Sequence, residues 1–227
     1  MRSVARVAVY YAPLPDDPLS KASAAWLGRD PSTGTPHKQP DLPDIAAVTS
    51  DPRSYGFHAT LKPPLRLARD RTWEDFLRDA RAMARRIAPF DLPPLAVSDV
   101  HGFLALKETE PSAALQGLAD TCVAELDCYR DPPDDAELAR RRRSQLSREQ
   151  DAMLVRWGYP YVFGTWFFHM TLTRRLTPEE KAIYLPAAVE HFKVSIQTSR
   201  VVKDICIFLQ DSPGAPFMIA ARLPLGG

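Results

Sequence analysis

Apolar and polar positions change period several times along the chain, and those changes outline the elements. Residues 4–11 form a β-rich apolar run closed by Pro13 and Pro15, and residues 17–27 carry a helical pattern that ends at Gly28. Residues 29–53 are rich in Pro, Asp, Ser and Thr and lack periodicity. That segment reads as a long surface loop, a class that in compact domains is usually functional or disordered, and a lid is one reading of it. Residues 55–67 are extended, and Pro63-Pro64, which cannot donate to a central ladder, should end the regular strand near Lys62. Thr72 then caps a helix to about Ile87, with Asp75 at the capping-box position and Phe76, Leu77, Ala80, Met83, Ala84 and Ile87 on one face.

Residues 90–100 and 103–107 read as two strands joined near His101-Gly102. The middle is helical over residues 112–129. A further helix follows Pro132-Pro133, opened by Asp134 and Glu137, and runs to about Trp157, with Ser147 placed to break it in two. Residues 161–174 return to strand character, and Thr177-Pro178-Glu179-Glu180 supplies a cap, a first-turn proline and an acid for another helix. Strands over residues 194–210 and 216–223 finish the chain. The order is α+β with antiparallel hairpins, and 227 residues, 45% of them hydrophobic, fit one domain with room for two lobes.

Charge narrows the functions. Lys and Arg total 29 against 28 Asp and Glu, a net charge of +1, so no global basic field marks a dedicated nucleic-acid binder and any anion site must be local. No apolar run approaches the roughly 20 residues that span a bilayer, and the opening residues Met1-Arg2-Ser3-Val4-Ala5-Arg6 lack the build of a signal peptide, so a cytoplasmic protein without a membrane partner is expected. Cys122 and Cys128 fall in one expected helix and Cys206 in a strand, none at metal-binding spacing, so packing is their expected role. The chain has no His-Glu-x-x-His, no Gly-x-Ser-x-Gly elbow, and no Gly-rich phosphate loop followed by Lys-Ser or Lys-Thr; neither metal nor other cofactor is expected.

One internal repeat carries chemistry. Phe57-His58-Ala59-Thr60-Leu61 recurs 111 residues later as Phe168-His169-Met170-Thr171-Leu172. On a strand, each His shares a face with the Thr two residues on, while the flanking apolar residues face the core. A buried imidazole or hydroxyl without a partner costs a few kcal/mol, so these polar faces need a reason. A shared cleft supplies one: two imidazoles and two hydroxyls converging on a tetrahedral phosphate. One neutral imidazole would take a proton from the attacking hydroxyl or water, and one imidazolium would protonate the departing oxygen. The threonines would donate to non-bridging oxygens. The same parity continues to Lys62, Thr173 and Arg175, where a cation would help hold phosphate. A solvated strand end is the competing reading for Lys62 and Arg175.

The paired His-x-Thr motifs and the leading strand resemble the 2H (two-histidine) phosphoesterase superfamily, which includes the RNA ligase-like cyclic phosphodiesterases. More narrowly, Tyr55-Gly56-Phe57-His58-Ala59-Thr60-Leu61-Lys62, Trp157-Gly158-Tyr159-Pro160-Tyr161 and His169-Met170-Thr171-Leu172-Thr173 are similar to a bacterial family within it that is associated with phosphonate metabolism. The resemblance covers most of the chain, to Pro216-Phe217. It implies a single bilobal domain over residues 1–227, with antiparallel sheets flanking a central cleft, helices outside, and one motif per lobe. It also implies acid and base roles for His58 and His169, phosphate binding by Thr60 and Thr171, and a small phosphorylated substrate. That substrate is a 2',3'-cyclic nucleotide, an ADP-ribose cyclic phosphate, a linear phosphodiester, or a cyclic ribose phosphate of phosphonate metabolism.

Other candidates compete with plain packing or solvation. Tyr10 has the parity of small Ala8, whereas Tyr11 aligns with Val7 and Val9, so Tyr10 is the expected cleft residue; Tyr55, Tyr161 and Trp166 either stack on a base or pack. The run Arg140 to Arg143, balanced by Asp134, Asp135 and Glu137, reads first as a solvated helix and only second as an RNA or partner contact, with one or two arginines free to border the cleft. His37 reads as a loop residue, His101 as a turn residue, and His191 as lying near a helix C-terminus.

Overall fold

A computed structural model describes residues 5–227; the expected strand start at Val4 and the first four residues lie outside it. The strands are β1 (Arg6–Tyr11), β2 (Ala59–Leu65), β3 (Phe90–Leu92), β4 (Leu95–Val100), β5 (Phe103–Glu108), β6 (Met170–Arg175), β7 (Arg200–Val202), β8 (Asp204–Gln210) and β9 (Met218–Pro224). The helices are α1 (Pro18–Leu27), α2 (Ile45–Val48), α3 (Ser50–Tyr55), α4 (Trp73–Ala84), α5 (Ala113–Glu125), α6 (Asp135–Arg142), α7 (Arg148–Trp157) and α8 (Pro178–Phe192). Seven strands pair in the order β4-β5-β6-β2-β1-β8-β9, every pairing antiparallel, and β3 pairs separately with β7.

Strand β1 lies inside the sheet because both its faces are apolar. Val7, Val9 and Tyr11 join the main core with Trp26, Phe76, Leu118 and Phe192 from the helices, whereas Ala8 and Tyr10 pack with Cys206, Phe208 and Phe217 on the opposite face. The helices therefore cover one face and leave the other for the cleft. The two halves of the sheet meet through one residue pair, Ala59 with Met170, which gives the bilobal division its seam.

Local chemistry explains the element ends. Thr72, Ser112 and Asp134 each accept the backbone N–H three residues on, and Ser147 and Thr177 form full capping boxes with Gln150 and Glu180. The long middle helix is accordingly broken at Ser147. His101 and Gly102, at φ 50° and 98°, make the tight turn between Val100 and Phe103, as a two-residue hairpin requires.

Several expectations are corrected. The segment 29–53 is not a lid: Ile45 and Val48 of α2 are buried, and Arg53 ties it down by donating to the carbonyls of Leu27 and Ala46. Its helices are too short to show periodicity. Strand β2 does not stop at Lys62 but continues through both prolines to Leu65, because they fall in a register irregularity opposite β1, between Val9↔Lys62 and Val7↔Leu65, where a missing N–H breaks no regular ladder. The helix after Thr72 ends at Ala84, and the one after Ser112 gives way at Leu126 to a 3₁₀ turn that holds Cys128. Pro93-Pro94 split the expected strand over 90–100 into β3 and β4. Residues 161–169 are irregular rather than strand, and residues 194–199 hold a 3₁₀ turn before β7.

Candidate active site

Each motif histidine directly precedes its strand, and its backbone geometry is the same in both copies. His58 Nδ1 donates to the carbonyl of Gly56 at 2.9 Å and His169 Nδ1 donates to that of Phe167 at 3.2 Å. A carbonyl can only accept, so both rings are held as the Nδ1–H tautomer with an unprotonated Nε2 directed away from that backbone contact. The carbonyl contact does not itself demand glycine, since Phe167 makes it in the second copy, but position 56 does: its φ is 77°, and a Cβ would come within 2.7 Å of Pro31 Cβ.

The seam sets the four polar side chains side by side. Antiparallel pairing of Ala59 with Met170 aligns Thr60 with His169 and His58 with Thr171, a quadrilateral whose histidines lie on one diagonal and threonines on the other. Indole donors fix both strands: Trp166 Nε1 bonds Thr60 O at 2.8 Å, and Trp26 Nε1 bonds Leu172 O at 3.1 Å. A cavity of about 460 Å³ is lined by His58, Thr60, His169 and Thr171, together with Tyr10, Tyr55, Tyr159, Arg6 and Gln210. A second, of about 440 Å³, adjoins it at His169 and Thr171 and is walled by Tyr159, Tyr161 and Phe167.

The two imidazoles differ in surroundings. His58 stacks on Tyr10 at 3.5 Å between ring centroids, meets Tyr55 edge-on at 5.6 Å, and receives the Thr60 hydroxyl at Nε2 at 3.2 Å. Burial pushes its pKa from 6.5 down to about 3, opposed by the Gly56 carbonyl and reinforced by His169. His169 is half-buried, stacked on Phe167 at 4.6 Å with Phe103 at its edge. Its pKa is also lowered, by burial first, opposed by the Phe167 carbonyl, with the Lys107 ammonium adding to the fall. Both shifts favour neutral rings near pH 7. An anionic phosphate between them favours the imidazolium, so it can bring in the proton that an acid-base pair needs.

The remaining candidates separate. Tyr10 lies in the cleft against His58. Tyr161 reaches only the adjoining cavity, as do Thr173 and Arg175. Thr173 is buried, its hydroxyl accepting Leu104 N–H at 2.9 Å beside a β5 irregularity, and exposed Arg175 donates to His101 O at 2.8 Å. Lys62 is corrected outright: it is buried on the helix side, Nζ 3.1 Å from Val123 O and 3.2 Å from the Asp127 carboxylate, and does not line the histidine cavity. The reason is a bulge, since Tyr10 pairs with Thr60 but Val9 pairs with Lys62, so Leu61 and Lys62 both turn to the helices. Arg6, Tyr159 and Gln210 also line the cavity, although the sequence pattern gives none of them a site role. Arg6 was legible in principle, because it shares the parity of Ala8 and Tyr10. His37 is exposed in its loop, His101 forms its turn, and His191 bonds Ala22 O at 2.9 Å in the last turn of α8. Among the described residues, no three His, Cys, Asp or Glu side chains converge as a metal site would need, and no helix is long and apolar enough to cross a membrane.

Comparison with known proteins follows the same chain. Residues 60–218, which include Thr60 and the whole second motif, match the model of a family described as protein of unknown function DUF1045. The chain is 38% identical over 234 residues to ribose 1,5-bisphosphate phosphokinase PhnN of Janthinobacterium sp. (strain Marseille), covering 99% of the chain and 52% of that protein. It is 33% identical over 217 residues to the protein of the same name from Laribacter hongkongensis (strain HLHK9), covering 94% and 50%. The chain thus spans about half the length of the curated relatives it matches. In shape it aligns with the crystal structure of E. coli LigT complexed with NADP+ at a TM-score of 0.47 and 13% identity, covering 99% of each chain.

Proposed function

The chain belongs to the DUF1045 family, and from that premise we propose that it is a phosphodiesterase that opens or hydrolyses a cyclic or linear phosphodiester by two-histidine acid-base catalysis. The observation that carries this reading is that both histidines and both threonines of the repeat line one cavity, with both Nε2 atoms free of backbone partners. Water attacks phosphorus and gives its proton to Nε2 of one histidine; the ester P–O bond breaks, and the departing oxygen takes the proton from Nε2 of the other. Thr171 donates to a non-bridging oxygen as charge builds there, and the Thr60 hydroxyl turns from His58 Nε2 to another, freeing Nε2 to take the water proton. His58 is assigned as base, because aromatic rings on two sides and the Thr60 hydroxyl donating to Nε2 all favour its neutral form. His169, more open, is assigned as acid. No step calls for a metal.

The relatives carry the name of a phosphokinase. This chain has no Gly-rich loop followed by Lys-Ser or Lys-Thr to cradle a nucleoside triphosphate, so we ascribe that activity to the half of the relatives it does not cover. Opening a cyclic ribose phosphate would leave a ribose phosphate monoester, chemistry that could feed a kinase named for ribose 1,5-bisphosphate. Cyclic ribose phosphates of phosphonate metabolism therefore stand ahead of 2',3'-cyclic nucleotides in the proposal. The test is turnover of a panel of both classes and of short RNAs with EDTA present. Wild type should turn over at least one compound, and His58→Ala and His169→Ala should each lower that rate by about 10²-fold or more. Full activity in either variant would show that the repeat is not the catalytic pair.

A further inference from the structure

A third cavity, of about 290 Å³, opens beside the histidine cleft and shares Arg6, Pro64, Gln210 and Gly214 with it. These residues belong to the half of the sheet that carries His58. The described residues lining the cavity include Arg6, Arg66, Arg130, Arg140 and Arg141, against two carboxylates, Asp131 and Glu137. Arg130 is neutralised elsewhere, its Nε 2.8 Å from Asp127. The other guanidiniums are not. Glu137 alone is shared by Arg66 at 3.3 Å, Arg140 at 3.8 Å and Arg141 at 3.1 Å. Arg66 has one further partner, Asp131 at 3.5 Å, and that pair is solvent-exposed and so weak. Arg6 is held by a neutral amide, Gln210 Oε1 at 2.7 Å, and by the face of the Phe217 ring.

Like charges gathered in a concavity repel, and Arg6, Arg66, Arg140 and Arg141 face only two carboxylates, an excess of positive charge that an anion would offset. Arg141 carries a second sign of the deficit: its Nε is buried without a hydrogen-bond partner, although its guanidinium packs over the ring of Tyr159, a wall of the histidine cleft. Planar forks of this kind suit the oxygens of a phosphate monoester.

We propose that this cavity is the subsite for a second phosphoryl group, so that the substrate is a phosphodiester bearing a phosphate monoester on the His58 side of the scissile group. The proposal rests on the phosphodiesterase reading of the cleft, but the anion affinity of the subsite does not require turnover. The test compares a ribose cyclic phosphate with its 5-phosphorylated counterpart. Wild type should prefer the phosphorylated compound by at least about tenfold in kcat/KM, mostly through KM, and Arg66→Gln/Arg140→Gln should bring the ratio towards one. Equal use of the two compounds by wild type would overturn the subsite without any variant, as would an unchanged ratio in the double variant. Should neither compound be cleaved, the preference for ribose cyclic phosphates fails, and calorimetric binding of the same pair decides the subsite alone. There the 5-phosphate must tighten binding to wild type by about tenfold and fail to do so in the variant, and equal affinities would overturn the proposal.

Discussion

His58 and His169 occupy the same place in the same five-residue motif and donate to the carbonyl two residues back, yet their surroundings differ. His58 is closed in by Tyr10 from β1 and Tyr55 from the end of α3, whereas His169 is half-buried, flanked by Phe167 of its own approach loop and Phe103 of β5. The repeated backbone fixes the tautomer twice. Side chains from outside the repeat set the cost of a charge on each ring. A duplicated motif can thus supply two like groups, and the packing around it can make them unlike, which acid-base chemistry needs.

The comparison can be strained first at the threonines. Thr60→Val removes both a phosphate donor and the hydroxyl on His58 Nε2, whereas Thr171→Val removes a donor aligned beside His58 with no imidazole bond of its own. Each should lower kcat by about 10- to 10³-fold, Thr60→Val the more, when measured at saturating substrate. Equal, small losses would mean that the hydroxyls do not face the reacting phosphate.

Acid stability tests the burial of His58 itself. Its pKa is about 3 in the folded chain against 6.5 when exposed, so between those values the unfolded state binds more protons. Stability should fall as pH drops from about 6.5 towards 3, and His58→Gln should flatten that slope in denaturant melts. An unchanged slope would show that His58 is not held neutral. The smallest expected effect is Lys62→Met. Asp127 keeps Arg130 at 2.8 Å, so no carboxylate is stranded, and turnover should stay within about threefold of wild type with little change in melting. A large loss of turnover would return Lys62 to the phosphate site.

Legibility in the sequence followed regularity. The period of two across residues 57–61 and 168–172 located the four site residues, and the caps at Thr72, Ser147 and Thr177 located helix starts, because both signals are local. Lys62 departs from the parity of Thr60 because the bulge opposite Val9 and Tyr10 reverses it without any glycine to announce it. The cleft contributions of Arg6, Tyr159 and Gln210 depend on strand order and on an irregular aromatic loop, neither of which has a periodic signature. The segment 29–53 reads as loose because part of its order comes from Arg29 donating to Phe217 O and Arg53 to Leu27 O, partners outside the segment that a local pattern does not reveal.

The most direct test of two unequal histidines acting together is the pH dependence of wild-type turnover on one cleaved phosphodiester. Both free-enzyme pKa values lie below the ordinary 6.5, that of His58 at about 3, so kcat/KM should trace a bell with its maximum below pH 6.5. The kcat maximum should lie at higher pH, since the bound phosphate raises both values. A single monotonic limb in kcat/KM across the same range would contradict paired acid-base catalysis by His58 and His169.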